Sequence, residues 1–600
     1  MSAETGNLQA RSMTLEGVAA SPGIGIGKVL VLSWDELRVP ERDVPESGVE
    51  AEVQRFEAAL QAAARELGEI RDRYSGDMGE EAAQILDAQV LLLSDVMVRD
   101  ATVQAIREQH KNAAFLFKGV LTRARSHLEQ MSSEYMRARA TDVLDVERRV
   151  LHHLLARSAT GLRDLSEPVV LVAHDVPPSE TVLMQPGQVL GFALESGGRT
   201  SHSVIVARAR GIPAVVGVPG VSRLARDGDL LILDGNEGRL ELNPDPATLA
   251  RYRRRQLDFE EFEQRLERTR NQPAVTRDGR RIAVLANIET PDEAAELRAR
   301  GAEGVGLYRT EFFYLNRAEL PSEETQLAAY RKVAEAVAPD PVVIRTIDVG
   351  GDKVASYMGA TPEENPFRGW RGIRYSLAHE DIFRTQLRAI YRASPYGRLH
   401  IMIPMVTLVE EVQRTRQLCR QVMDELEREG HPFSREVPLG IMVETPAAVL
   451  MADHLARHSD FFSIGTNDLL QYTLAVDRGN ERASRLYQPL DVAVLRAIRQ
   501  TVEAGHRRGL WISVCGEMSN EPLACVALVG LGVDKISTSP FGLPGIKSLL
   551  RSIAYEEARG WMEEAVGLES AAEVQAYLTQ RLPQASEMLG WGAGGRKGGA

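Results

Sequence analysis

Apolar positions along this chain change their period several times, and each change marks a different kind of structure. Residues 17–32 read as two short strands around the turn Ser21-Pro22-Gly23, after a polar and loosely patterned first dozen. From 49 to 157 the period becomes helical, with Leu60, Ala63, Ala64 and Leu67 on one stripe and Leu86, Val90, Leu93 and Met97 on another. Proline is absent from 49 to 156 and glycine appears there only at 68, 76, 79 and 119, so the stretch predicts about four helices in an antiparallel bundle. Short β-like runs return at 169–173, 187–193, 214–217 and 230–234. They predict a compact α/β domain that takes in the N-terminal strands, with the helical stretch inserted into it. Residues 246–270 are highly charged, and Leu249, Tyr252, Leu257, Phe262 and Leu266 give them the pattern of a connecting helix.

The remainder alternates regularly. Eight β-like runs, at 282–288, 304–309, 342–348, 400–406, 439–444, 461–467, 511–515 and 533–537, are separated by helical patterns. Those patterns include 292–300, 325–338, 408–429, 447–458, 491–508 and 521–531. Eight strand–helix repeats predict a (β/α)8 TIM-type barrel with its chemistry at the C-terminal strand ends. The expected organisation is therefore multidomain α/β. Residues 1–35 and 158–245 form an α/β domain around 36–157, a linker helix covers 246–272, the barrel covers 273–585, and a glycine-rich, disordered tail covers 586–600.

Composition narrows the function classes. A formal net charge of -13 argues against a general nucleic-acid binder and predicts repulsion from anionic membranes. No apolar run reaches a membrane span, and the N-terminus lacks the order of a signal peptide. The three cysteines, Cys419, Cys515 and Cys525, form no CxxC pair, which suits a reducing cytoplasm and excludes a cysteine-built zinc site. A soluble cytoplasmic enzyme is expected.

Candidate chemistry falls in two places. In Gly197-Gly198-Arg199-Thr200-Ser201-His202 a glycine turn precedes an apolar helix, which Thr200 or Ser201 can cap. His202 then sits near a helix N-terminus that favours an anion, and neutral imidazole is a competent nucleophile toward phosphorus. A lone histidine in a polar turn is more often ordinary surface, so this reading depends on the second place. By contrast, Gly23-Ile24-Gly25-Ile26-Gly27 lacks the spacing and the following helix of a dinucleotide site.

That second place is the row of barrel strand ends, joined by two loops that add Arg371 and Arg478. Arg309, Arg345, Arg371 and Arg478 supply planar forks for a small, strongly anionic substrate. Glu444 and Asp468 supply hard oxygens of the kind Mg2+ takes, without distinguishing it from Mn2+. Asn467 can donate to a phosphate oxygen. Cys515 has no histidine beside it in sequence to make a thiolate nucleophile, so a general-acid role is preferred.

The motifs Gly-Gly-Arg-Thr-Ser-His, Gly-Val-Gly-Leu-Tyr-Arg-Thr-Glu-Phe, Arg-Thr-Ile-Asp-Val-Gly-Gly-Asp-Lys, Met-Val-Glu-Thr-Pro-Ala-Ala and Phe-Phe-Ser-Ile-Gly-Thr-Asn-Asp-Leu resemble enzyme I of the phosphoenolpyruvate-dependent sugar phosphotransferase system, from Gly17 to about Leu582. The resemblance implies autophosphorylation of His202 from phosphoenolpyruvate (PEP), release of pyruvate, and transfer to a histidine of the phosphocarrier protein HPr. It implies that Arg309, Arg345, Arg478, Asn467 and Asp468 bind PEP, that Glu444 and Asp468 bind Mg2+, and that Cys515 donates the proton. It further implies a swivelling phosphohistidine domain, HPr docking on the helical insertion and a homodimer formed through the barrel. No sensory domain is expected before Gly17, and no stretch is long enough for the ATP-binding domain of a pyruvate phosphate dikinase-like enzyme. A barrel lyase or aldolase leaves the His202 turn unexplained, and the intact set of His202, Glu444, Asp468 and Cys515 speaks against a non-catalytic PEP-sensing regulator.

Overall fold

The computed structural model describes residues 12–32, 39–74, 93, 96–129, 134–155, 165, 167–176, 184–185, 187–196, 203–204, 207, 211–315, 320–349, 369–477, 486–540 and 542–582. Two compact units divide the chain, one spanning Met1–Glu261 with Gly590–Ala600 and the other Phe262–Leu589.

In the first unit an eight-stranded mixed sheet is assembled from both ends of the sequence. Its strands are β1 (Met13–Glu16), β2 (Val18–Ser21), β3 (Ile24–Leu32), β4 (Val169–Ala173), β5 (Val189–Leu194), β6 (Ala214–Val216), β7 (Leu230–Asp234) and β8 (Arg239–Leu242), in spatial order β1-β8-β7-β3-β4-β5-β6-β2. β3 runs parallel to β4 and antiparallel to β7, so it sits in the sheet's interior. The glycines of β3 are explained by crowding: a Cβ on Gly25 would lie 2.3 Å from the Leu190 carbonyl oxygen.

Between β3 and β4 the chain forms helices Val49–Tyr74, Val96–Gln109, Ala113–Glu129 and Glu134–Leu155. Their apolar faces, centred on Phe56, Phe117 and Val150, share one buried cluster with Leu171 and Phe192 of the sheet. Val170, Val215 and Leu233 belong to a second cluster. Of the segment around His202, Ser203, Val204 and Ala207 are described; all three are helical and buried.

The charged segment is a helix, Pro246–Thr269, and the division between the units falls within it. The second unit is a closed parallel barrel of β9 (Ala283–Ile288), β10 (Val305–Tyr308), β11 (Pro341–Arg345), β12 (Arg398–Ile403), β13 (Leu439–Val443), β14 (Phe461–Ile464), β15 (Trp511–Val514) and β16 (Lys535–Thr538). Pairing of β16 with β9, Lys535 opposite Ala283, closes it. All eight expected strands are present.

Two expected helices differ. The stretch 292–300 yields only a 3-10 segment, Asp292–Glu296, and 447–458 breaks into Pro446–Leu450 and Ala452–Leu455 at Met451. Amphipathic spacing tolerates such breaks, because the apolar face is kept while the hydrogen-bond ladder is not. Among the described residues, no helix is long and apolar enough to cross a membrane.

Candidate active site

Local chemistry fixes each strand end. Thr445 caps the helix after β13, accepting from the Ala448 N–H at 3.1 Å, and Pro446 occupies the first helical turn. This rigid turn holds the preceding Glu444. Gly465 follows β14, and a Cβ there would meet Glu444 Oε2 at 2.9 Å, so only glycine lets the two strand ends approach. Asp468 lies in the first turn of helix Thr466–Leu474.

Arg371 is the hub. Its Nε and one terminal nitrogen donate to the two oxygens of Asp348 at 2.9 and 2.8 Å. Its terminal nitrogens also donate to Asp468 Oδ1 and Oδ2 at 3.0 and 3.1 Å. Burial disfavours the charge, but Asp348 and then Asp468 outweigh it and hold the guanidinium ionised. Arg345, equally buried, donates to Glu311 Oε1 at 2.8 Å and lies 3.2 Å from Asp348 Oδ2. Its buried Nε has no hydrogen-bond partner, which leaves a donor available for an anion. Arg309 is half-exposed and pairs with Glu289.

Glu444 is fully buried. Its Oε1 accepts from the Met405 N–H at 2.6 Å, while Oε2 has no hydrogen-bond partner. Burial, with Asp468 and Asp348 close by, pushes this carboxyl well above the usual carboxylate range. A lone buried carboxylate oxygen beside a second carboxylate is a poor resting state and a good fit to a divalent cation.

Asn467 sits at the edge of the group, its Oδ1 accepting from the Glu517 N–H at 2.7 Å. Cys515, just past β15, is buried, and its Sγ accepts from Ser463 Oγ at 3.4 Å. Burial pushes the thiol up, while Ser463 and the Arg345 charge pull it back. It therefore carries its proton at neutral pH, as an acid must.

Of the expected site residues, Arg309, Arg345, Glu444, Asn467, Asp468 and Cys515 lie at or just past C-terminal strand ends of the barrel, and Arg371 joins them from the loop before helix Ile373–Ala378. Glu444, Asp468, Arg345 and Arg371 form one hydrogen-bonded and charge-coupled group with Asp348 and Glu311. His202 and Arg478 lie outside the described residues. Asp348, Glu311 and Ser463 had no role assigned from sequence. Asp348 stands three residues after Arg345, and that spacing at a strand end was the available signal.

Comparison with known proteins follows the same division. The chain matches family models for the PEP-binding domain of PEP-utilising enzymes over 263–555, their N-terminal region over 16–139 and their mobile domain over 165–238. The fold and the barrel site thus define a PEP-utilising enzyme. The phosphoenolpyruvate-protein phosphotransferase of Bacillus sp. (strain S) is 42% identical over 95% of this chain and 98% of its own length. That of Haemophilus influenzae is 39% identical over 95% of this chain and 99% of its own. An NMR solution structure of Enzyme I (nEIt) is 38% identical over 41% of this chain and 99% of its own, with a TM-score of 0.37. The chain belongs to the phosphoenolpyruvate-protein phosphotransferase family.

Proposed function

We propose that this chain takes the phosphoryl group of PEP onto His202, releases pyruvate, and passes the group to a histidine of the phosphocarrier HPr. The observation that carries the reading is the set of buried Arg345, Arg371 and Glu444 with half-buried Asp468, beside a protonated Cys515 thiol. In this reading Arg309, Arg345, Arg371 and Arg478 grip the phosphate and carboxylate of PEP. Asn467 donates to a phosphate oxygen, and its amide is already oriented by Glu517. Glu444 and Asp468 would hold Mg2+, which supplies charge neutralisation at the phosphoryl oxygens.

His202 Nε2 attacks phosphorus as the bond to the enolate oxygen breaks. Cys515 then gives its proton to C3 of the enolate, completing pyruvate. A histidine that serves both a barrel mouth and a partner surface has to travel. His202 falls in the sequence of the first unit and the barrel forms the second, with the linkers near residues 246–275 as the candidate hinges. The helical insertion is the proposed HPr dock, and the barrel the proposed dimer surface. The proposed setting is the cytoplasm.

PEP labelled on phosphorus, with Mg2+, tests the reading. Acid-labile, base-stable label should appear on the protein and disappear in His202→Ala. Equal labelling of that variant, or none of the wild type, overturns it. Cys515→Ser should retain PEP binding while pyruvate formation falls about a hundredfold or more, as loss of a general acid does.

A further inference from the structure

The inner layer of the barrel beneath the mouth is apolar: Leu307, Val343, Met402, Met442 and Phe461 pack there with Cys515. Ser463, fully buried on β14, puts a hydroxyl at that depth. A buried hydroxyl left unpaired is costly, so its partner carries information. That partner is Cys515 Sγ, at 3.4 Å. The parallel register of β14 and β15, which sets Ser463 opposite Ser513, holds Ser463 on the strand neighbouring that of Cys515. The Cys515 carbonyl is separately anchored by Asn287 Nδ2 at 3.1 Å, so the thiol's backbone is held while its sulfur is contacted from one side. The S–H itself donates to the Ile464 carbonyl at 3.8 Å, a distance that holds it only weakly.

We propose that Ser463 is a positioning residue for the acid step: its hydroxyl donates to Cys515 Sγ, occupies one sulfur lone pair and leaves the S–H directed toward the enolate. This rests on the proposed function. In the step itself the S–H bond breaks, a C–H bond forms at C3 and the sulfur keeps the electron pair as thiolate. The Ser463 O–H then donates to an anion instead of a neutral sulfur, and hydrogen bonds to charged acceptors are roughly twice as strong. Ser463 therefore stabilises the product side of the proton transfer, and water returns the proton in the next cycle. The charged groups acting on the same thiol are Arg345 at the end of β11, Glu444 after β13 and Arg309 after β10; the two arginines favour the thiolate and Glu444 opposes it.

The test uses the full chain carrying 13Cβ-labelled cysteine, in which Cys515 is assigned by loss of its signal in Cys515→Ser. Ser463→Ala should move the thiol titration midpoint upward by about one pH unit, the equivalent of one charge-assisted hydrogen bond. It should also lower kcat for pyruvate release about threefold to tenfold with KM for PEP unchanged. Ser463→Thr, which keeps the hydroxyl, should restore both. A purely structural serine would change folding stability and leave the Cys515 titration where it is, and that result overturns the proposal. A shifted titration in a wild-type chain that forms no pyruvate from PEP would uphold the contact and overturn the functional reading instead.

Discussion

At the scale of residues, the barrel mouth combines charges that would each be expensive alone. Arg371 spans Asp348 and Asp468, so removing it takes a two-pronged partner from each of two carboxylates, one of them fully buried. Arg371→Met should therefore destabilise the barrel by about 3–5 kcal/mol, read by urea unfolding, rather than merely weaken substrate binding. At the opposite end of the strands, His400 lies among Phe461 and Trp511, and burial holds its pKa down at about 4 against an ordinary 6.5. Its contribution has a definite sign. The unfolded chain binds a proton here that the folded one refuses, so stability is intact above pH 6.5 and falls as pH drops from there toward 4. The loss amounts to about 3 kcal/mol at most. His400→Phe should flatten this part of the stability profile, measured by urea midpoints across pH 4–7.

At the scale of elements, glycines mark where the chain has no room and where it has room to spare. Gly25→Ala places a methyl against the Leu190 carbonyl and should destabilise the first unit by about 1–3 kcal/mol. Gly68 in helix Val49–Tyr74 faces open space, so Gly68→Ala should stabilise by about 0.5–1 kcal/mol through helix propensity. Thermal melts of the two variants should shift in opposite directions. The barrel strands were legible because both faces of a parallel strand are buried, which makes each an uninterrupted apolar run bounded by turns. The 3-10 segment at Asp292–Glu296 was not, since its composition is that of a helix and its ladder is decided by the connection it must make. The same limit applies to the site. Arg345, Glu444 and Cys515 stand out by residue type at strand ends, whereas the link from Ser463 to Cys515 exists only once two strands are laid side by side. Asp348 was visible as a residue but not as the carboxylate that ties two arginines together.

At the scale of the whole molecule, each unit has buried clusters of its own, one set built on the mixed sheet and its helices and the other on the barrel. Calorimetry should resolve two unfolding transitions. PEP with Mg2+ should raise only the barrel's, by about 2.7 kcal/mol at a hundred times the dissociation constant, and a single shifted transition would contradict this. One feature of the first unit also bears on how the chain is made. β3 pairs with β4 and β7, which begin at Val169 and Leu230, so both of its neighbours are synthesised long after it. At translation rates of about 5–20 residues per second, both edges of an apolar strand stay open for on the order of ten seconds. The helices described between them are local structures and can form during that wait, so the interval in which the nascent chain is open to aggregation is set by the order of its segments.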